Sequence, residues 1–218
     1  MTSNLNETLG AQRLGIFGGT FDPIHLGHIL PCEDLANALT LSHVLLMPAH
    51  LPPHKSSTHA NAEQRLQMTR LVAEQNPLFV VDARELQRHE PSYTVNSIKE
   101  LKQQYPTAQL FFFIGTDSLL SLHTWYQIDE LFTLCHFVVS TRPGYNSLHV
   151  DETIKHRITR NINDVNHLAA GQILMVETRQ VDISSTQIRQ QLLQKQNCQR
   201  FLPSYIADYI EQNQLYQR

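Results

Sequence analysis

The sequence lacks the apolar runs, the cysteine patterns and the concentrated charge that would mark a membrane protein, a disulfide scaffold or a polyanion binder. Its longest apolar stretches, such as Leu110 to Ile114, fall far short of the about 20 residues that cross a bilayer. The first dozen residues are polar and lack the charged start and apolar centre of a secretion signal, so a cytoplasmic location with no membrane partner is expected. Cysteine is scarce: Cys32, Cys135 and Cys198 stand far apart among periodic apolar residues, without CxxC or CxxH spacing. They read as buried free thiols in a reducing compartment, and neither a disulfide nor a structural zinc site is expected. A strong charge of one sign is missing too, because the formal net charge is -3 and Lys and Arg are scattered along the chain. No basic stripe invites nucleic acid.

What is present is ordinary for a globular chain with a substantial core: 218 residues, 41% hydrophobic and 17% charged. Short apolar runs recur at residues 14–17, 44–47, 78–81, 110–114, 137–139 and 173–176, and they read as strands buried on both faces. Between them lie stretches of helical periodicity, through Leu26, Ile29, Leu35 and Leu39, then Leu66, Leu71 and Val72, then Val95, Ile98 and Leu101. Strand and helix in alternation imply right-handed crossovers. The predicted fold is therefore α/β, a doubly wound and mostly parallel sheet with helices on both faces. Ser184 or Ser185 can cap a helix through Ile188 and Leu192, and Pro203 stands where another can begin, so the chain is expected to finish in helix. With no repeat, low-complexity tract or linker, a single domain over 1–218 is expected, with residues 1–12 as a polar extension. The loop His50 to Asn61, rich in Pro, Ser and Thr, is long enough to suggest function. Residues 144–171 carry no readable motif.

The densest chemical signal is Gly15-Ile16-Phe17-Gly18-Gly19-Thr20-Phe21-Asp22-Pro23-Ile24-His25-Leu26-Gly27-His28, which opens on a strand and closes on a helix. Glycines at such a turn let the backbone approach a ligand, and the amides and positive helix end suit phosphate oxygens. His25 and His28, three apart, can project from one face toward those phosphates and offset their charge. The run is neither the GxGxxG fingerprint nor a Walker loop, since no GK[ST] closes it. Two competing readings stay open on spacing alone. The glycines could form a plain tight turn beside satisfied histidines, or the histidines could bind zinc, though helical zinc ligands usually sit four apart beside a carboxylate.

This run resembles the GGTFDPxHxGH motif of the nucleotidyltransferase superfamily, built around an HxGH element. The resemblance implies a Rossmann-like nucleotidyltransferase fold and ATP as the ligand. It implies that Gly18, Gly19, Thr20 and Phe21 bind the nucleotide, that His25 and His28 contact its triphosphate, and that Asp22 lies on the substrate side. A second run, Ile183-Ser184-Ser185-Thr186-Gln187-Ile188-Arg189, leaves a strand and enters a helix. On its own it reads as a helix cap. Its hydroxyls and the guanidinium one turn inside also suit phosphate, and it resembles the superfamily's ISxTxIR signature. That likeness implies β- and γ-phosphate contacts from Ile183, Ser184, Thr186 and Arg189.

The acceptor separates the branches of this superfamily. Pro91-Ser92-Tyr93-Thr94, Gly115-Thr116-Asp117-Ser118, Trp125-Tyr126, Arg142-Pro143-Gly144-Tyr145 and Pro48 to Lys55 all resemble segments of the nicotinate-mononucleotide adenylyltransferase family. A glycosylated nicotinate ring is a flat cation that would stack well on Trp125. The resemblance implies that Thr94 and amides beside Tyr126 bind its carboxylate, and that His54 and Lys55 lie in a loop over the nucleotide. Gly115 and Asp117 stand at the carboxyl edge of the sheet, where Asp117 could bond a ribose hydroxyl or simply cap a helix. Trp125 also fits a half-buried anchor between helices. Arg142 ends a strand at the ligand edge and reads as a triphosphate contact. Arg84, Glu85 and Arg88 read as surface charges.

The expected reaction is adenylyl transfer from ATP, with its Mg²⁺, to nicotinate mononucleotide, giving nicotinate adenine dinucleotide and pyrophosphate. His25, His28 and Arg189 are the expected catalytic groups, and no metal is assigned to the chain. The competing acceptors are nicotinamide mononucleotide and phosphopantetheine; a non-catalytic nucleotide sensor is a rival of another class. A class I aminoacyl-tRNA synthetase shares the HxGH element, but no KMSKS-like run or tRNA-binding face is present.

Overall fold

The computed structural model describes residues 13–50, 58–88, 92–145 and 149–217. Seven strands form its sheet: β1 (Arg13–Gly19), β2 (His43–Pro48), β3 (Phe79–Val81), β4 (Gln109–Gly115), β5 (His136–Thr141), β6 (Ile158–Thr159) and β7 (Ile173–Glu177). Their order is β3-β2-β1-β4-β5-β7-β6. The chain steps outward one way from β1 to β3 and then returns to β4 to build the other half. That reversal beside β1 is the mark of a doubly wound sheet, and it places a switch point where ligands of such folds bind. The ladders β1 to β4, β4 to β5, β5 to β7 and β6 to β7 are all parallel.

All six predicted strands are present. The strand that sequence patterning did not show, β6, is two residues long and lies in the stretch without motifs, too short for any periodicity to register. The central strands are buried on both faces, as an all-apolar run requires: Leu14, Ile16, Leu110, Phe111, Phe137, Val138 and Val139 are sealed from solvent. Gly15 is small for a packing reason, since a Cβ there would lie 2.9 Å from Val44 and 3.0 Å from both Leu41 and Phe113.

Helices follow the strands: α1 (Leu26–Ala38), α2 (Ala62–Gln75), α3 (Thr94–Gln104), α4 (Thr116–Ser121), α5 (Ile128–Leu134), α6 (Glu152–Lys155), α7 (Ile162–Asn166), α8 (Ser185–Leu193) and α9 (Ser204–Gln212). Asn61 starts α2 through a capping box with Gln64, and Ser184 starts α8 through the same device with Gln187. Each such cap is worth about 1 kcal/mol. Pro203 precedes α9, so the helical finish is as expected.

The described residues cluster into two compact units woven from alternating stretches. One holds residues 13–17, 35–44 and 93–178; the other holds 18–34, 45–92 and 179–217. No linker could announce this division, because the chain passes between the units several times, within β1, β2 and the helix at Leu26–Ala38 among other places. Among the described residues, no helix is long and apolar enough to cross a membrane. Cys32, Cys135 and Cys198 are buried free thiols, and burial pushes Cys135 up to about 12.

Candidate active site

In the second unit the glycine-rich turn closes tightly on itself. Gly19 at the end of β1 accepts a hydrogen bond from the Ala49 amide at 2.9 Å. A Cβ on Gly19 would meet the Phe21 ring at 2.7 Å, so the glycine makes room for that ring. Phe21 adopts φ 51, an uncommon left-handed conformation for a bulky residue, and its side chain is buried. Its ring is therefore packed inward, and only its backbone faces the duty implied by the motif. The inward ring meets His28 edge-on, with centroids 5.5 Å apart.

His25 immediately precedes α1 and accepts hydrogen bonds from the amides of His28 and Ile29 at 2.8 and 3.1 Å. The His25 and His28 rings lie face to face, 3.7 Å between centroids and tilted by 31°. Gly27 permits this: a Cβ there would stand 3.0 Å from the His25 ring and 3.3 Å from the Val181 carbonyl. His25 is only 3% exposed, and neither of its ring nitrogens has a hydrogen-bond partner among the described residues. Burial lowers its pKa to about 4, so the ring is neutral at pH 7 and offers an N–H without a competing charge. Among the described residues no cluster of three His, Cys, Asp or Glu side chains could hold a metal ion.

The two signatures, far apart in sequence, are bonded together in this unit. Ser185 donates its hydroxyl to the Pro23 carbonyl at 3.0 Å, and Arg189 Nη1 donates to the Asp22 carbonyl at 2.7 Å. Arg189 Nη2 also donates to the Thr186 hydroxyl at 3.2 Å. The Ser184 hydroxyl is engaged in the capping box, accepting from the Gln187 amide and donating to its carboxamide oxygen. Its first duty is thus to start the helix. Ile183 bends the approach through a 2.9 Å bond from its amide to the Val181 carbonyl.

Asp22, implied by the motif as a substrate contact, has its carboxylate bonded within the chain. It is 3% exposed. Its Oδ1 accepts from the Ala60 amide at 3.0 Å and the Tyr216 hydroxyl at 2.8 Å, and its Oδ2 accepts from the His59 amide at 2.9 Å. A carboxylate so committed holds the chain together and has little left for a ligand. Arg65, in α2, was not among the expected site residues. Its buried guanidinium donates to the carbonyls of Thr20, Ala49 and His50 at 2.8, 2.6 and 2.9 Å. A helical wheel holds the signal, since Arg65, Met68, Thr69 and Val72 share one buried face. His54 and Lys55 lie outside the described residues.

The first unit carries the other candidates. Thr94 opens α3, Gly115 closes β4, and Asp117 is exposed in the first turn of α4. No side-chain cap bond is made at that helix start, where Gly115 is the N-cap residue, so capping does not account for Asp117. A Cβ on Gly115 would meet nothing within 4 Å. Trp125 is half-buried, with Phe112 and Phe137 each edge-on at 6.0 Å, leaving part of the indole facing outward. Tyr126 is 54% exposed and lies 4.7 Å from the Tyr93 ring, between centroids. Gln127, at φ 53, turns the chain sharply into α5 after this aromatic pair. Arg142 stands exposed just beyond β5. Of the expected surface charges, Glu85 is buried, and Arg84 is half-buried against Asp82 at 2.7 Å, so neither is a plain surface group.

This turn, its paired histidines and the doubly wound sheet define a class. Residues 16–191 match the family described as Cytidylyltransferase-like, and the chain belongs to that family. More particularly, it is 43% identical over 210 residues to a probable nicotinate-nucleotide adenylyltransferase of Shewanella frigidimarina, covering 94% of this chain and 100% of that protein. It is 41% identical over 206 residues to a protein of the same description from Salmonella gallinarum, covering 92% and 97%. In fold it is similar to the Plasmodium falciparum nicotinic acid mononucleotide adenylyltransferase solved with NaAD, at TM-score 0.69 and 18% identity over 94% of this chain and 97% of that one. A putative nicotinate-nucleotide adenylyltransferase from Vibrio parahaemolyticus has the same fold at TM-score 0.63 and 16% identity, covering 95% and 96%.

Proposed function

We propose that this chain transfers the adenylyl group of ATP to nicotinate mononucleotide, releasing pyrophosphate and forming nicotinate adenine dinucleotide, as a cytoplasmic step of NAD biosynthesis. The observation that carries the reading is the close His25 and His28 ring pair at the start of α1, with His25 buried, in the same turn whose Asp22 carbonyl takes Arg189 of the second signature. Likeness to nicotinate-nucleotide adenylyltransferases over nearly the whole chain supports the choice of acceptor.

The acceptor's 5'-phosphate oxygen attacks the α-phosphorus, a new P–O bond forms, and the bond to the β-phosphate oxygen breaks as pyrophosphate departs. With a second pKa of about 6, the attacking phosphate is already ionised at neutral pH and needs no general base. The chain's work is positioning and charge. Backbone from Gly18 to Phe21 cradles phosphate oxygens. His25 and His28 donate ring N–H groups where charge develops, and Ile183, Ser184, Thr186 and Arg189 receive the outgoing pyrophosphate, with Arg142 as a further triphosphate contact. Mg²⁺ enters as the ATP complex. Imidazoles and a guanidinium do not make the oxygen cage that this cation prefers, and the Asp22 carboxylate is already committed, so the triphosphate holds it. Trp125 stacks on the nicotinate ring, Thr94 and amides beside Tyr126 take its carboxylate, and Gly115 and Asp117 receive the ribose; His54 and Lys55 complete the substrate contacts.

Position-specific phosphate labelling tests the reading. Label on the α-phosphate of ATP should appear in the dinucleotide and label on the γ-phosphate in pyrophosphate. Label from the γ-phosphate in the acceptor product would mean phosphoryl transfer and overturn it.

A further inference from the structure

We propose that Tyr216 is a positioning residue for the nucleotide turn, acting through the Asp22 carboxylate to fix the backbone carbonyl on which Arg189 rests. The inference rests on the reading of Arg189 as a triphosphate contact.

Asp22 joins both sides of this arrangement. Its carboxylate takes the Tyr216 hydroxyl at 2.8 Å, while its own carbonyl takes Arg189 Nη1 at 2.7 Å. The same guanidinium nitrogen lies 3.9 Å from Asp22 Oδ2, so the carboxylate also holds Arg189 by charge. Losing the phenol O–H would leave Oδ1 to the Ala60 amide alone, and a carboxylate held by fewer donors would hold the carbonyl beneath Arg189 less firmly. Arg65 fixes the neighbouring Thr20 carbonyl, so the Tyr216 bond bears on Asp22, where it adds to the Ala60 and His59 amides.

The backbone is bent to deliver this hydroxyl. After α9 the chain takes φ 52 at Gln214 and φ 62 at Tyr216, two left-handed non-glycine residues within three positions. Each such residue costs about 1 kcal/mol or more. The bend is held by the Leu215 amide donating to the Ile210 carbonyl at 3.0 Å, and it seats Tyr216 at 8% exposed. Burial first, then the Asp22 carboxylate, pushes the phenol well above its ordinary range, so it stays protonated and donates. A turn that served packing alone would not need a hydroxyl aimed at a buried carboxylate.

The test compares Tyr216→Phe, Asp22→Asn, Arg189→Ala and the Tyr216→Phe/Asp22→Asn pair, with thermal midpoints and with KM measured separately for ATP and nicotinate mononucleotide. Tyr216→Phe keeps the ring and should remain folded. It should raise KM for ATP about tenfold, the scale of one lost charge-assisted bond, and leave KM for the acceptor within about twofold. The double variant should match Asp22→Asn alone, because one path carries both effects. If Arg189→Ala raises KM for ATP and Tyr216→Phe does not, whatever its midpoint, the positioning role falls and the reading of Arg189 stands. Additive effects in the double variant also overturn the role. Should Arg189→Ala leave KM for ATP unchanged, the reading of Arg189 fails and this proposal fails with it.

Discussion

Around Asp22 the polar groups are buried and bonded within the chain, whereas Tyr126 and Tyr93 are exposed and Trp125 beside them is half-buried. The first region is rigid by construction: Arg65, Asp22, Tyr216 and Arg189 hold one short turn from several elements. The second offers an aromatic pair, the partly open face of Trp125 and the first turns of α3 and α4. Such a contrast suits a transferase that always meets the same triphosphate but must pick one acceptor. Charge that develops during reaction needs donors fixed in advance. Discrimination among flat rings can come from a few exposed contacts, because stacking and one carboxylate suffice to separate close analogues. The two kinds of residue should therefore fail in different ways when altered.

The largest effect is expected at His28. Replacing it by Ala should lower kcat by about 100- to 1,000-fold with the thermal midpoint nearly unchanged, as loss of a single preorganised donor does. Near-normal turnover would erase the distinction between the regions. Arg65→Met should act on stability instead. It leaves three part-buried carbonyls without their donor and removes the Arg65 charge from near Asp22, for a loss of about 3 kcal/mol in urea unfolding. A loss under about 0.5 kcal/mol would place Arg65 with ordinary surface residues.

A comparable stability effect should follow pH through His25. Its folded pKa of about 4 lies below the ordinary 6.5, so the unfolded chain binds the proton first as acid is added. The contribution is therefore complete above 6.5 and disappears as pH falls toward 4, on the order of 3 kcal/mol in all. His25→Gln should flatten that part of the stability curve, and an unchanged slope between the two pH values would contradict the burial argument. Triphosphate, as an anion, should raise this pKa, and a ring titration followed by NMR with and without an ATP analogue would show it.

On the exposed side the effects are smaller. Trp125→Ala should raise KM for nicotinate mononucleotide about tenfold and leave KM for ATP alone, in keeping with the modest worth of one stacking contact. Equal changes in both would mean that Trp125 is chiefly an anchor between Phe112 and Phe137. Tyr126→Ala should alter unfolding free energy by less than about 0.5 kcal/mol, since the side chain is 54% exposed.

Sequence patterning reached further on the fold than on the inner wiring of the site. Six strands are legible because buried parallel strands are unbroken apolar runs, while β6 at Ile158–Thr159 is too short to show any period. The glycine-histidine turn is legible because its residues are contiguous. Asp22 is legible as part of that turn but not in its employment, because Tyr216, His59 and Ala60, which occupy its oxygens, come from 194, 37 and 38 positions away. Arg65 sits in an apolar helical stripe, where a charge is easily taken for a face boundary, and only the three carbonyls it meets explain it. Likewise, Ser184 reads equally as a phosphate ligand or a cap from its position, and the capping box with Gln187 gives its hydroxyl a first use. Contacts between distant stretches are tertiary facts that local pattern does not encode.

The most direct test of the account is pyrophosphate release from ATP and Mg²⁺, run in parallel with nicotinate mononucleotide, nicotinamide mononucleotide and phosphopantetheine. The account predicts rapid release with the nicotinate and much slower release with the other two. Equal or greater release with either alternative would contradict the roles given to Thr94, Trp125 and Tyr126, and no release with any acceptor would contradict the transferase itself.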